Sequence, residues 1–221
     1  MWNSKCQTQN ANNAARMTFG LHLAFCIVNS TVPTSAQQLL DRVVARVDGY
    51  AITLTDVHAA LALGVVEAPE AGAPESAAVQ GLIDRQLVLT EVARFAPPEP
   101  DPAAVDREVG AMKAGAGAAL AGAMRATGLD EARIREMARD TLRIEAYLNQ
   151  RFGTTVQVSD EEVARYYREH PEEFVQGGAP MPFAEAEPVA RERAAAGRRA
   201  ATIAQWLRDL RMRADVALPR S

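Results

Sequence analysis

The sequence predicts a mainly α-helical protein that contains one small β-hairpin. Aromatic residues make up only 5% of the chain, which disfavours a β-sandwich or barrel, because strands are rich in aromatic and β-branched residues. Apolar residues recur at intervals of three and four over several long segments, the spacing that places them on one face of a helix. We therefore expect a helical core with a hairpin near its N-terminus and a C-terminal helix plus short strand that pack back on it. The formal charge of −4 argues against a wholly basic nucleic-acid-binding protein.

The hairpin is predicted over residues 43–53, where apolar and polar residues alternate on both sides of Asp48 and Gly49. An Asp-Gly pair favours a type I′ turn, in which both central residues take positive φ. Thr55 is the expected N-cap of a first helix over residues 56–63.

Five further helices follow from the apolar spacing and from helix-end signals. They are expected over residues 77–95, 102–114, 117–126, 130–152 and 159–169, after a Pro- and Gly-rich loop over 66–76. Asp101 is an N-cap with Pro at the first helical position, and the glycines at positions 115 and 117 divide the second and third of these helices. Ser159 and Glu162 form a capping box. The expected buried faces hold Val79, Leu82, Ile83, Gln86, Leu87 and Thr90 in the first of these helices and Ile134, Met137, Thr141, Leu142, Leu148 and Phe152 in the fourth.

The C-terminal part is predicted to return to the N-terminal helices. A short linker is expected over residues 175–182, one long helix over 183–213, and over 215–218 a strand that pairs with an edge of the hairpin. The helix carries an apolar stripe that commits one of its faces to the core; the stripe is formed by Ile203, Trp206, Leu207, Leu210 and Ala214. From residue 191 onward there are eight Arg against three acidic residues. This basic region either docks on the chain's own acidic helices, which we favour, or binds an anionic partner.

The first 36 residues predict a cleaved export signal. They contain no Asp or Glu, they carry Lys5 and Arg16, and residues 17–28 form an apolar segment of secretory length. Thr34 and Ala36 stand where a signal-peptidase site needs small residues. We expect cleavage near Ala36 and a periplasmic mature chain, with a disordered tail or a start codon assigned too far upstream as the alternatives.

Both cysteines, Cys6 and Cys26, lie in this N-terminal segment. The mature chain would then contain no disulfide, no thiolate nucleophile and no Cys-ligated metal. A lipid anchor on Cys26 is an alternative, although bulky Phe25 stands where a lipoprotein site needs a small residue. No apolar run approaches the length of a membrane-spanning helix, so we expect no stable membrane insertion.

The sequence contains no pattern typical of an active site. The mature chain has two histidines, His58 and His170, which are far apart and lack a metal-ligand spacing, and no P-loop or nucleophile-elbow motif occurs. We therefore expect no catalytic residue, no metal and no cofactor. Met112, Met124 and Met137 either line an adaptable apolar surface or, as we favour, fill gaps in the core.

Several segments resemble one protein family when they are taken in order. They are LLDRVVARVDGYAITLTDV (39–57), GLIDRQLVLTEVARF (81–95) and TGLDEARIREMARDTLRIEAYLNQRF (127–152). Together they resemble the N-terminal domain of SurA-type periplasmic chaperones. VSDEEVARYYREHPEEF (158–174) resembles the segment that precedes the parvulin prolyl-isomerase domain in SurA and PrsA-like proteins. The final helix and the terminal ADVAL resemble the C-terminal helix and strand of the same chaperone core, so the resemblance covers nearly all of residues 39–218.

The chain departs from this family at the position of the isomerase domain. Only eight residues separate Phe174 from Phe183, whereas a domain of this kind needs about 90–100 residues. The His and Cys/Asp residues of a parvulin site have no counterparts. We therefore expect a chaperone core without isomerase activity. An active prolyl isomerase is the less favoured alternative.

The resemblance implies an ATP-independent chaperone that binds unfolded or nascent envelope proteins, and no nucleic acid, through an apolar helical groove. It implies a core over residues 37–221, whose N-terminal helical part covers 37–174, after a signal peptide over 1–36. The groove is expected between the N-terminal helices and the returning C-terminal helix. Its candidate peptide-binding residues are Met112, Leu120, Met124, Leu129 and Tyr166. An accessory subunit that binds one specific folded partner is the other alternative.

Overall fold

A computed structural model describes residues 41–67, 72–153 and 157–219. Along these residues the elements are β1 (Val43–Val47), β2 (Tyr50–Thr53), α1 (Leu54–Ala62), α2 (Pro74–Phe95), α3 (Pro102–Ala116), α4 (Ala119–Thr127), α5 (Glu131–Phe152), α6 (Asp160–Glu169), β3 (Val175–Gln176), β4 (Ala179–Pro180), α7 (Phe183–Arg213) and β5 (Val216–Ala217). The mainly helical fold class, with its hairpin and its C-terminal helix plus strand, is confirmed. No helix in the described ranges is long and apolar enough to cross a bilayer. The expected export signal lies outside the described residues.

The hairpin and the returning strand form one small sheet, in the order β2-β1-β5. Asp48 and Gly49 have φ of 48° and 85°, as the predicted turn requires. Strand β5 pairs antiparallel with β1, with Val47 opposite Val216. Asp48 and Asp215 also join the two chain regions, because each backbone N–H donates to the other residue at 2.9 Å. The predicted pairing of the C-terminal strand with the hairpin is therefore confirmed.

Helix α1 begins at Leu54, two residues earlier than predicted, because its N-cap is Thr53. The prediction of Thr55 as the N-cap is wrong. The Thr53 hydroxyl accepts from the Asp56 backbone N–H at 3.2 Å, and the Asp56 carboxylate accepts from the Thr53 backbone N–H at 3.0 Å. This is a capping box. The backbone N–H of Thr55 donates instead to Asp41 at 3.2 Å.

Other helix ends follow the local signals in the sequence. Helix α2 begins at Pro74, three residues earlier than predicted, because Pro is well suited to the first helical position. Gly117, with φ of 50°, ends α3 before α4 begins, so the predicted division into two helices is confirmed. Asp130 caps α5 and Ser159 caps α6 through side-chain oxygens, also as predicted.

Buried apolar residues of the described chain form two clusters. The main cluster joins the three-stranded sheet and helices α1, α2, α3 and α5 to Trp206 and Leu210 in the second half of α7. The second cluster consists of Val163, Phe174, Ala186 and Ala190, with neighbouring aromatic residues of α6. The apolar stripe on α7 thus enters the main core as predicted, while the first half of that helix packs on α6 instead.

The segment expected to be a linker forms a second, two-stranded hairpin, β3-β4. Gly177 and Gly178 form its turn, with φ of 61° and 82°, a conformation that favours glycine. The Tyr167 hydroxyl on α6 donates to the Met181 carbonyl oxygen at 2.6 Å. This contact fixes the start of α7 against α6.

The basic C-terminal helix docks on acidic residues of the same chain. Arg191 and Arg198 contact Asp160 and Glu162 of α6 at 2.7 and 2.6 Å. Arg211 donates to Asp84 of α2 at 2.5 Å. These contacts favour internal docking over an anionic partner as the explanation of the charge.

Candidate functional site

Four of the five predicted peptide-binding residues lie in one region and the fifth lies elsewhere. Met112 and Leu129 are 7% and 5% exposed in the main cluster, and Leu120 and Met124 are partly buried against it. Tyr166 is on α6 in the second cluster, where its hydroxyl donates to the Glu173 carboxylate at 3.0 Å. The burial of Met112 favours the core-filling explanation of this methionine.

A different surface feature of the described residues has the form of a binding site. Helices α2 and α5 and strand β2 enclose a cleft of about 410 Å³, a volume within the range of ligand pockets. Its apolar wall is formed by Ile52, Leu82, Leu89, Ala93 and Met137. Of the residues singled out in the sequence for adaptable binding, Met137 is the one that reaches this wall.

Helix periodicity explains why the two helices line this cleft. Leu82, Gln86, Leu89 and Ala93 of α2 are three or four residues apart, so they occupy one face of that helix. On α5, Arg133, Glu136, Asp140 and Arg143 are also three or four residues apart, and Met137 lies beside Glu136 on the same face. Strand β2 adds Tyr50 and Ile52 at one end of the cleft. The cleft therefore has one apolar wall and charged residues along α5.

The charged residues nearest β2 neutralise one another. Arg133 donates to Asp56 at 3.0 Å and to Glu136 at 2.7 Å. Burial lowers the pKa of Arg133, but the Glu136 and Asp56 carboxylates raise it more, so the pKa lies above its usual value. Asp56 also belongs to the capping box of α1, in which its carboxylate accepts from the Thr53 backbone N–H. We call these three residues the Arg133 end of the cleft.

The opposite end contains two arginines and one carboxylate, Arg85, Arg143 and Asp140, and we call it the Arg143 end. The Arg85 guanidinium donates to the Met137 carbonyl oxygen at 2.9 Å. Among the described residues no carboxylate oxygen lies within 4.0 Å of it. Burial lowers the pKa of Arg85, and the charge of Asp140 opposes this change.

Arg143 is the least satisfied of these charged groups. Its side chain is 20% exposed, and its distances to Glu99 and Asp140 are 3.7 and 3.6 Å, too long for hydrogen bonds. Its buried Nε has no hydrogen-bond partner within the described part of the chain. Burial raises the pKa of Asp140, against the opposing charges of Arg85 and Arg143. The Arg143 guanidinium thus lies near two carboxylates without a short hydrogen bond to either, and its buried Nε is the atom nearest to Glu99.

A second, smaller cleft of about 280 Å³ lies at the C-terminal ends of α2 and α5 and is lined by Phe95, Tyr147, Gln150 and Arg151. The Tyr147 ring lies 6.0 Å from that of Phe95 and 5.9 Å from that of Trp206. The buried Tyr147 hydroxyl has no hydrogen-bond partner among the described residues. Because Trp206 belongs to the main cluster, this cleft lies at the edge of the apolar core.

The sequence predicts only part of the cleft between β2, α2 and α5. Leu82, Gln86 and Thr90 were predicted to lie on one face of their helix, and all three line the cleft. Arg85 is not among the predicted residues, although it lies on that same face between Leu82 and Leu89. An arginine within an otherwise apolar helix face was the signal that could have pointed to this site.

The cleft between β2, α2 and α5 is suited to bind an extended amphipathic chain. Its apolar wall can cover side chains, and the guanidinium groups can donate to carbonyl or carboxylate oxygens. Within the described ranges, no group of three or more His, Cys, Asp or Glu residues is arranged to hold a metal ion.

Comparisons with known proteins do not assign the chain to a family. No protein-family model matches the chain, and no curated protein is significantly similar to it. Function is therefore inferred from the cleft and from the resemblance in the sequence.

Proposed function

We propose that this protein is an exported, ATP-independent chaperone-like module that binds unfolded segments of envelope proteins. The observation that carries the proposal is the cleft between β2, α2 and α5, whose apolar wall lies beside charged groups. The resemblance of the sequence to SurA-type chaperones and the acid-free N-terminal segment support the same function. The proposed site differs from the groove expected around Met112 and Leu129, since those side chains are buried.

The composition of the cleft fits weak binding of many sequences. Apolar contact contributes about 25 cal/mol for each Å² removed from water and requires no fixed direction. Met137 adds a flexible thioether that adapts to different side chains. Leu89 is partly buried, lines the cleft and is not a member of either apolar cluster of the described residues. Its side chain is therefore available to a client rather than committed to the core.

Light scattering of an unfolded client tests this function. The full chain is mixed with a urea-unfolded outer-membrane β-barrel protein, and aggregation is followed after dilution of the urea. The native protein should suppress scattering, and Leu89→Gln should need a concentration about tenfold higher, the equivalent of about 1.4 kcal/mol of lost apolar contact.

A matched control separates the cleft from general surface effects. Met212 is 77% exposed on α7, so Met212→Gln removes an apolar side chain away from the cleft and should act like the native protein. Thermal unfolding of both variants checks that they are folded. Failure of the native protein to suppress scattering contradicts the proposal, as does equal activity of Leu89→Gln. Binding of one folded partner without any effect on scattering would favour the accessory-subunit alternative.

A further inference from the structure

The three-stranded sheet has a free edge that borders the cleft. Its strand order is β2-β1-β5, so β2 has a neighbouring strand on one side only within the described chain. Tyr50 and Ile52 of β2 line the cleft, and Ala51 lies between them. A strand edge presents backbone N–H and C=O groups that can pair with another chain. The unpaired backbone groups of β2 are therefore candidates for contact with a client.

The register of the sheet identifies Ala51 as the residue of β2 with unpaired backbone groups. Along an antiparallel strand, the N–H and C=O of successive residues point alternately to one neighbouring strand and to the other side. Arg46 of β1 lies opposite Ala51 on β2 and opposite Ala217 on β5. The Asp48 N–H, two positions further along β1, donates to the Asp215 carbonyl oxygen of the β5 side at 2.9 Å. Arg46 therefore also points to β5, and the N–H and C=O of Ala51 point away from the sheet.

These two groups of Ala51 have no other partner among the described residues, and the residue is partly exposed. The next residue of β2 whose backbone points the same way is Thr53. Its N–H already donates to the Asp56 carboxylate at 3.0 Å, and the C=O of an N-cap residue accepts the first hydrogen bond of its helix. The free edge therefore offers one N–H and one C=O, both of them at Ala51.

The charges of the cleft favour an uncharged occupant beside this edge. The lining contains three arginines and three carboxylates, so its total charge is zero. At the end nearest β2, Arg133 donates to both Asp56 and Glu136, so these groups are already partnered. A polypeptide backbone carries no charge and brings donors and acceptors of its own. It thus complements both the neutral cleft and the open groups of the strand.

We propose that an extended segment of the client pairs with the free edge of β2, where the Ala51 N–H donates to a client carbonyl oxygen and the Ala51 C=O accepts from a client N–H. The inference rests on the proposed function and specifies how the client is held. The client becomes a fourth strand beside β2, a mode of binding in which main-chain hydrogen bonds supply affinity. Client side chains on the same face as Tyr50 and Ile52 pack on the apolar wall of the cleft.

Strand geometry determines which client residues make each contact. Successive side chains of a strand point to opposite faces. In an antiparallel pair, the client residue opposite Ala51 exchanges both hydrogen bonds with it, and its side chain lies on the face away from the cleft. The residues before and after it point their side chains to the cleft and their N–H groups away from β2. Hydrogen bonding and apolar contact therefore fall on alternate residues of the client.

N-methylated peptides test this alternation. The probe is a fluorescent peptide of nine residues in which Leu and Thr alternate, so that the Leu side chains occupy the cleft. Fluorescence anisotropy with the full chain compares the plain peptide, the peptide N-methylated at every Thr, and the peptide N-methylated at every Leu. Methylation at Thr should weaken binding about three- to tenfold, as for the loss of a hydrogen bond, and methylation at Leu should not.

The same comparison reports the direction of the client. Loss confined to the peptide methylated at Leu supports pairing with the same edge by a parallel client, because parallel pairing uses the residues on both sides of the opposite one. Equal losses for the two methylated peptides, or no loss for either, overturn the strand pairing.

Proline variants of the two sheet edges locate the effect on the protein. Ala51→Pro removes the N–H that faces the client, and Pro is tolerated where the N–H of an edge strand points outward. It should weaken binding of the plain peptide about three- to tenfold. Val216→Pro is the control: Val216 lies opposite Val47 on β5, and its N–H points outward at the other edge of the sheet. This variant should bind like the native protein.

Folding of both variants is established by circular dichroism, and the comparison of the three peptides on the native protein stands without any variant. Unchanged affinity of folded Ala51→Pro overturns the proposal. So does a dimer of the native protein, seen in sedimentation, that Ala51→Pro dissociates, because the edge would then pair with a second copy.

Light scattering separates this inference from the proposed function. If the native protein suppresses client aggregation but binds all three peptides equally, or binds none of them, the strand pairing is wrong and the chaperone function stands. If the native protein neither binds peptide nor suppresses aggregation, the proposed function and this inference fail together.

Discussion

Asp140 illustrates how one side chain controls the charge balance of the cleft. Its carboxylate is partly buried beside Arg85, Arg143 and Glu136, with Arg139 also close enough to act on it. Burial is the largest influence and raises its pKa above the ordinary value of 3.8. The folded protein therefore holds a proton on this carboxyl more tightly than the unfolded chain does.

This raised pKa gives a stability change of definite sign. Because the folded state binds the proton more tightly, the free energy of unfolding falls as pH rises from 3.8 through the raised value in the folded protein. Relative to Asp140→Asn, which does not titrate, the native protein should lose stability over this interval and show a constant difference above it. Urea unfolding of both proteins between about pH 4 and pH 7 measures the difference. A difference that stays flat, or that changes in the opposite direction, contradicts the assignment.

Single residues were predicted from sequence where the signal is local. The Asp48-Gly49 turn and the caps at Asp130 and Ser159 depend on a few neighbouring residues, and the structure contains all of them. Thr53 and Thr55 both satisfy the local preference for an N-cap, so the choice between them depended on where strand β2 ends. Arg143 is brought into the cleft by the packing of α5 on α2, which no local pattern reveals.

Among the helices and strands, α7 is anchored in the main cluster by the aromatic contacts of Trp206. The Trp206 ring lies 5.4 Å from that of Phe152 and 5.9 Å from that of Tyr147, and the Arg151 guanidinium lies over it at 5.3 Å. Trp206 is only 9% exposed. The apolar spacing predicted this stripe because its period belongs to the helix itself. The β3-β4 hairpin was not predicted, since strands of two residues carry no periodic pattern.

Removal of the Trp206 ring should destabilise the fold strongly. Trp206→Ala leaves a cavity among aromatic rings, and we expect the free energy of unfolding to fall by about 3–5 kcal/mol. Met212→Ala on the same helix should change it by less than about 0.5 kcal/mol, because its side chain is exposed. Urea unfolding of the two variants provides the comparison. Equal stability of Trp206→Ala and the native protein would mean that α7 is not anchored in the main core.

For the whole molecule, α7 connects the two apolar clusters. Its first half supplies Ala186 and Ala190 to the second cluster, and its second half supplies Trp206 and Leu210 to the main cluster. Sequence patterns predicted that the helix returns to the core. They did not predict that it divides its length between two clusters, because periodicity shows that a face is buried but not against which element.

Truncation after Gly178 should abolish cooperative thermal unfolding and the suppression of client aggregation. The truncation removes β4, α7 and β5 together, so both clusters lose apolar partners at once. A shorter truncation after Asp215 removes β5 and the residues beyond it but keeps α7, and it should melt cooperatively at a lower temperature. Differential scanning calorimetry and light scattering measure these effects. The connecting role of α7 is contradicted if the protein truncated after Gly178 melts like the native one.

The hydrogen bonds between Asp48 and Asp215 also determine when the three-stranded sheet can be completed during synthesis. These residues are 167 positions apart in the chain, and synthesis proceeds from the N-terminus. Strand β1 therefore lacks its second neighbour until nearly all of the described chain has been made, and closing so long a loop slows folding. One edge of the small sheet accordingly stays unpaired through most of synthesis, and the last residues of α7 and β5 are the ones that close it.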